Sequence, residues 1–257
     1  MRQVLLLLFG VVVAHEKVVL KWSTPIYYAD LWDSQETADE VNKELSEAAI
    51  YLEKHIRGVY KSNSGGYQSQ VYNSFSPHGL DILHKVEVQV IKAAKEFYLR
   101  GLQTDVSFDD QVEREKNFLD GKSGVLELFS IWFNVNRDND SNHAHSHSDC
   151  FLSGAYYIAV DGSSLEEPAP IVLSDPRSQP ATNFDYSGWF GMNQNHFIDP
   201  KPGKVILFPS WLSHRVEPAY GDAPRISVAF NIRMRARHVA GALASSDACE
   251  NDNTCAP

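Results

Sequence analysis

The chain has 257 residues, of which 43% are hydrophobic and 11% aromatic, enough to bury the core of one large domain or two small ones. Its net charge of −10 excludes the basic footprint that nucleic-acid binding needs, and it opposes electrostatic docking on an anionic membrane.

Residues 1–14 read as a separate secretory signal. Arg2 supplies the positive start, Val4 to Val13 the short apolar run, and Val12-Val13-Ala14 the small residues before a cleavage point. The run is too short for a transmembrane helix, and no later segment could span a bilayer. The expected location is therefore the secretory pathway, lumenal or secreted. Cys249 and Cys255 flank a polar stretch and could close a small loop, while Cys150 is left over. Asn139-Asp140-Ser141 matches a glycosylation sequon.

Residues 17–28 are strand-like, interrupted by Pro25. Asp33 or Ser34 then caps a helix whose Val41, Leu45, Ala48, Leu52 and Ile56 recur at three- and four-residue steps, to about His55, with Gly58 as its stop. Residues 61–70 form a polar turn. A second helix follows Pro77 and Gly79, with Leu83, Val86, Val90, Ala94 and Phe97 on one face and Gly101 at its close. Residues 103–122 are charged and break the period. His55, His78 and His84 read as surface or helix-end histidines.

From Val125 the pattern turns to strands. Val125 to Val135 is almost continuously apolar, as in a strand buried on both faces. Further strands are expected over 151–160, 171–173, 204–208 and 226–234, with 175–200 as a long excursion. In that excursion Tyr186, Trp189, Phe190 and His196 are candidates for a lid or a recognition surface. Helices first and short strands afterwards predict an α+β, mainly β architecture: a jelly-roll or barrel with two N-terminal packing helices outside it. The domain should run from 15 to 238 with its core from about 125, and 239–257 reads as a flexible tail.

The densest group of metal-binding side chains is His143, His145, His147 and Asp149. In extended chain these alternate residues share one face, so two neighbours can grip one metal. Two histidines and a carboxylate, with open positions opposite, is the ligand set of non-haem iron(II) oxygenases. Both His145-Ser146-His147 and His147-Ser148-Asp149 fit, and spacing does not choose between them. A further ligand must come from elsewhere, and His214 stands just past the expected strand 204–208. Arg225-Ile226-Ser227 opens the last strand. There Arg225, Ser227, Ala229 and Asn231 share one face, either in solvent or turned into the barrel to clamp a carboxylate.

This order of parts resembles the 2-oxoglutarate and iron(II)-dependent oxygenases common in bacteria and phages, relatives of prolyl and aspartyl hydroxylases. The resemblance rests on Thr24-Pro25-Ile26-Tyr27, on 62–69, on His145-Ser146-His147 with Leu152-Ser153-Gly154-Ala155-Tyr156-Tyr157, on Asp175-Pro176-Arg177, on 208–218 and on 225–231. It implies a double-stranded β-helix (jelly-roll or cupin-like) core. It implies iron(II) on His145, His147 and His214, with Asp149 the alternative to His145. It implies 2-oxoglutarate on Arg225 and Ser227, with Tyr157 a second contact, and it allows ascorbate as an accessory reductant. The implied reaction hydroxylates a C–H bond of a small molecule or peptide and releases succinate and carbon dioxide. Two other readings fit the same residues: a cupin-like metal enzyme that does not use 2-oxoglutarate, and a jelly-roll binding module without turnover.

Overall fold

The computed structural model describes residues 24–72, 81–102, 125–160, 169–176, 195–218, 220–221 and 223–235. The expected signal over 1–14, the tail over 239–257, Cys249, Cys255, His78 and the aromatics Tyr186, Trp189 and Phe190 lie outside them.

Two helices lie in the N-terminal half, after a first short strand. In α1 (Gln35–His55), Ser34 is the N-cap, and its hydroxyl accepts the backbone N–H of Thr37 at 3.1 Å. Its apolar face buries Ala38, Val41, Leu45, Ala49 and Leu52. The helix ends when Ile56 turns extended, three residues before Val59, so Gly58 is not its cap. A Cβ on Gly58 would come within 2.9 Å of both the Gln68 carbonyl oxygen and the Tyr67 ring. Helix α2 (Asp81–Leu102) buries Leu83, Val86, Val90, Ala93, Ala94 and Phe97.

Among the described residues there are eleven strands: β1 (Tyr27–Asp30), β2 (Asn63–Ser64), β3 (Tyr67–Gln68), β4 (Val125–Asn136), β5 (Ser141–His145), β6 (Leu152–Ala159), β7 (Ile171–Ser174), β8 (Asn195–Ile198), β9 (Lys204–Pro209), β10 (His214–Val216) and β11 (Arg225–Arg235). They make two antiparallel sheets, one ordered β1-β9-β6-β11-β4-β3 and the other β2-β5-β10-β7-β8. From β4 onward the chain passes between the sheets at every connection except β7 to β8. That alternation is the double-stranded β-helix expected from the sequence. The sheets share no ladder among the described residues, so the expected barrel is an open sandwich.

Three local expectations change. Residues 61–70 are more than a turn. β2 extends the smaller sheet beside β5, β3 extends the larger beside β4, and Gly65 and Gly66 between them take φ of 70° and 63° to make the crossing. The segment 175–200 ends in an edge strand, β8, paired with β7. His214 lies past the end of β9 and itself opens a further short strand, β10, that was not expected.

The larger sheet is covered on both sides. Its outer residues, including Phe133, Val135, Tyr156, Val205, Leu207, Val228 and Phe230, pack with both helices into the main core. Its inner face meets the smaller sheet, where Tyr157, Ile206 and Phe208 pack on Ile171 and Leu173 in a second, smaller core. β4 is buried on both faces from Ser130 to Asn136, whereas before that Val125 and Phe129 stand exposed, so the expected two-sided burial holds only for its second part. Tyr156 and Tyr157 are neighbours that serve opposite faces. The Tyr156 hydroxyl donates to Asn42 at 2.6 Å and accepts from Trp32 at 2.9 Å, fastening α1 to the sheet.

Candidate metal centre

His145 is the last residue of β5 and His214 the first of β10, and the antiparallel register sets them opposite each other. Their ring centroids are 4.3 Å apart. His147 lies two residues beyond the strand, where its backbone N–H donates to the Ser210 carbonyl at 2.9 Å. That bond turns its ring to 5.0 Å from His145 and 5.2 Å from His214. One ring nitrogen from each of the three histidines falls within 4.8 Å of the others.

Tautomers follow from the neighbours. Nδ1 of His145 is 2.7 Å from the His143 carbonyl, and Nδ1 of His214 is 2.9 Å from that of Leu212. A carbonyl only accepts, so each Nδ1 carries the proton and leaves Nε2 with a free lone pair. Metal-binding histidines are commonly oriented in this way. The rings are held neutral. Burial, with the His145 and His147 rings adding to it, pushes His214 down to about 3. Burial and His145 push His147 down to about 4. Burial lowers His145 against the opposing bond to His143.

The other two candidates of that stretch do not join the cluster. His143 is exposed and its backbone N–H bonds to Ser62. Asp149 is exposed at φ 60° in the turn over 148–149, which carries its carboxylate out of the alternating pattern, and it is not in the histidine group. The extended geometry assumed for 143–149 stops at His145.

The cluster opens into a cavity between the sheets, lined also by Trp132, Asn134, Asn142, Ser153, Arg225 and Ser227. The polar face of β11 therefore points into the sandwich, while Ile226, Val228, Phe230 and Ile232 face the helices. Arg225 is 4% exposed, and its Nε is buried without a hydrogen-bond partner. Its guanidinium carbon stands 5.3 Å from the centre of the Tyr157 ring. The Tyr157 hydroxyl is likewise buried and unpartnered. Burial pushes Tyr157 up to about 12, against the pull of the Arg225 charge, and burial lowers Arg225. Ser227 pairs with Tyr157 across the sheet on one side and with Asn134 on the other. The unpartnered Nε–H of Arg225 and the buried Tyr157 hydroxyl beside it offer donors to an anion with acceptor oxygens.

Trp132, Asn134, Asn142 and Ser153 were not singled out from the sequence. On β4 the signal was present: Trp132, Asn134 and Asn136 alternate with Ile131, Phe133 and Val135, so amides recur on one face of a buried strand. Trp132 packs its ring 5.9 Å from that of His147. His196 stands exposed on β8.

Residues 130–231 match the family described as "Putative 2OG-Fe(II) oxygenase". No curated protein matches the chain. Solved structures with a similar course include a prolyl-4-hydroxylase of Pseudomonas putida, 13% identical over 83% of this chain and 94% of that one, at a TM-score of 0.49. A collagen prolyl hydroxylase of Paramecium bursaria Chlorella virus-1, in complex with 2-oxoglutarate, is 13% identical over 80% and 94%, at 0.45. A prolyl hydroxylase of Trichoplax adhaerens is 12% identical over 82% and 76%, at 0.49.

Proposed function

We propose that this chain, whose residues 130–231 match the family described as "Putative 2OG-Fe(II) oxygenase", binds iron(II) through His145, His147 and His214 and hydroxylates a C–H bond at the expense of 2-oxoglutarate. Three imidazoles whose ring nitrogens lie within 4.8 Å of one another suit a divalent transition metal. The Arg225 guanidinium would take the far carboxylate of 2-oxoglutarate, with Ser227 and Tyr157 as hydroxyl donors to it. When bound, iron and 2-oxoglutarate supply the oxidising chemistry, giving succinate and carbon dioxide with the oxidised product. The protein's share is to orient both, to hold the imidazoles unprotonated and to keep water from the space between the sheets. Ascorbate, if it acts, would serve as a reductant for resting iron.

The observation that carries this reading is the unpartnered Arg225 Nε in the same cavity as three convergent histidines. An enzyme that used the metal without an anionic cosubstrate would have no use for that buried charge, which is costly to leave unpaired. A binding module would need neither feature. Iron(II) and 2-oxoglutarate titrated together without oxygen should give the weak visible charge-transfer band of their chelate, and admission of oxygen should release succinate. If both bind and neither signal appears, the reading fails.

The substrate is proposed to be a small molecule or a peptide side chain met in the secretory pathway. Secreted material whose first residue is His15 would support the use of 1–14 as a signal. A product retaining Met1 inside the cell would oppose it.

A further inference from the structure

A metal-binding histidine depends on the group that holds its other ring nitrogen. For His145 that group is the carbonyl of His143, 2.7 Å from Nδ1 and only two residues back. In a regular strand this contact is out of reach, because carbonyls lie along the sheet and side chains stand across it. β5 is not regular at this point. Its Asn142 and His145 pair with Val216 and His214 of β10, so His143 and Ala144 together oppose Arg215 alone. Two residues against one make a β-bulge, which bends the strand and re-aims the side chains beside it. Burial agrees: Asn142 is buried, His143 and Ala144 are both exposed, and His145 returns to the cavity.

The bulge is braced from the residue that leads into β2. The backbone N–H of His143 donates to the Ser62 carbonyl at 2.7 Å, and Asn142 Nδ2 donates to the Ser62 hydroxyl at 3.2 Å. Asn142 Oδ1 in turn accepts from Asn136 of β4 at 3.5 Å. We propose that the bulge at His143–Ala144, with Ser62 and Asn142 as its positioning residues, fixes the ring of His145 and thereby sets the affinity of the metal centre. The inference rests on His145 being a metal ligand, as read above. Ser62 lies outside the matched residues 130–231, so the N-terminal part of the chain reaches the metal centre through one hydrogen-bonded path, from Ser62 to His143 to His145.

The full chain, metal-free and carrying isotope-labelled histidine, gives the first readout. Long-range proton–nitrogen correlation should show His145, assigned with His145→Gln, protonated at Nδ1. Titration with zinc(II) gives the second readout. Deleting Ala144 removes the extra residue, keeps His145 in register with His214 and should release Nδ1. The His145 proton should then shift toward Nε2, and zinc should bind about 10–100-fold more weakly, as when such a partner is lost. Asn142→Leu and Ser62→Ala, which each cut one brace, should move the tautomer in the same direction and weaken zinc by about tenfold. Ser62→Thr keeps the hydroxyl and should match wild type. The point variants decide the matter if the deletion fails to fold. An unchanged tautomer and an unchanged zinc affinity in the folded variants overturn the proposal. So does lost zinc affinity with the tautomer unchanged, which is what a general loosening of the sheet would give. If wild type binds neither zinc nor iron(II), the metal reading fails, and the tautomer alone judges the bulge.

Discussion

Arg225 is placed under two opposed demands. Buried and unpartnered at Nε, it costs stability in the empty protein, and the same desolvation strengthens its hold on a carboxylate. Arg225→Met should therefore move two measurements in opposite directions. Thermal denaturation of the metal-free protein should rise, by about 1 kcal/mol or more. Binding of 2-oxoglutarate should weaken by about 2–5 kcal/mol, the usual loss when one member of a buried charge pair is removed. A variant that binds 2-oxoglutarate as tightly as wild type would remove Arg225 from its proposed role. At the histidines, His145→Ala should abolish iron uptake, measured by metal analysis after gel filtration, whereas Asp149→Ala should retain it. The reverse pattern would restore the carboxylate site. The depressed proton affinities of His147 and His214 also fix a pH dependence. Unfolded histidine titrates near 6.5, and these two fall to about 4 and about 3 in the fold. Between those values the unfolded chain binds more protons, so stability of the metal-free protein falls as pH drops from about 6.5 toward 4 and is unaffected above it. Urea midpoints across that range should fall less steeply in His147→Gln than in wild type. Equal slopes would contradict the neutral, buried imidazole.

Stability and the site are assigned to different faces of the same strands. On β11 the even-numbered residues from Ile226 to Ile232 join the helices in the main core, and Arg225, Ser227 and Ala229 line the cavity. Leu45→Ala on α1, at a side chain with no exposed surface, should cost about 2–5 kcal/mol in denaturant melts. It should leave iron and 2-oxoglutarate affinity unchanged, because Leu45 packs in the main core behind the larger sheet; a parallel loss of both would show that the helices hold the site's geometry. Much of this division could be read in the sequence. The helices carried a 3.6-residue period and a serine cap, and β4, β6, β9 and β11 were long enough for their composition to show. What escaped was too short to have a period: β2 and β3 with two residues each, β10 with three, β8 with four. These short strands gain their order from the ladders they join, which no local pattern encodes. Alternation on β11 exposed its two faces without saying which was buried, since a polar stripe looks alike in solvent and in a cavity. The choice between His145 and Asp149 turned on where the extended chain stops, and the left-handed turn at Asp149 has no glycine to announce it. The resemblance favoured His145, and the register opposite His214 is the geometry that brings the two rings together.

Across the whole molecule the two sheets are held together unequally. Among the described residues, apolar packing between them gathers in a small core around Tyr157, Ile206 and Phe208, and toward the histidines the interface becomes polar. By contrast, the larger sheet and the helices share an extensive core. A metal on His145, His147 and His214 would bind β5, the following loop and β10 to one another. 2-Oxoglutarate on Arg225 would then tie that group to β11. Ligands that bind only the folded state stabilise it by mass action, by about 2.7 kcal/mol at a hundredfold excess over Kd. The gain should not be spread evenly, because the weakly held sheet has most to recover. Amide hydrogen exchange should slow most in β5, β7 and β10 when a divalent metal is added. It should slow further at the start of β11 when 2-oxoglutarate follows, and change little in α1 and α2. 2-Oxoglutarate added before metal should protect only the surroundings of Arg225. Protection that appears equally in the helices, or an identical response to the two ligands in either order, would mean that the cavity is not what joins the sheets.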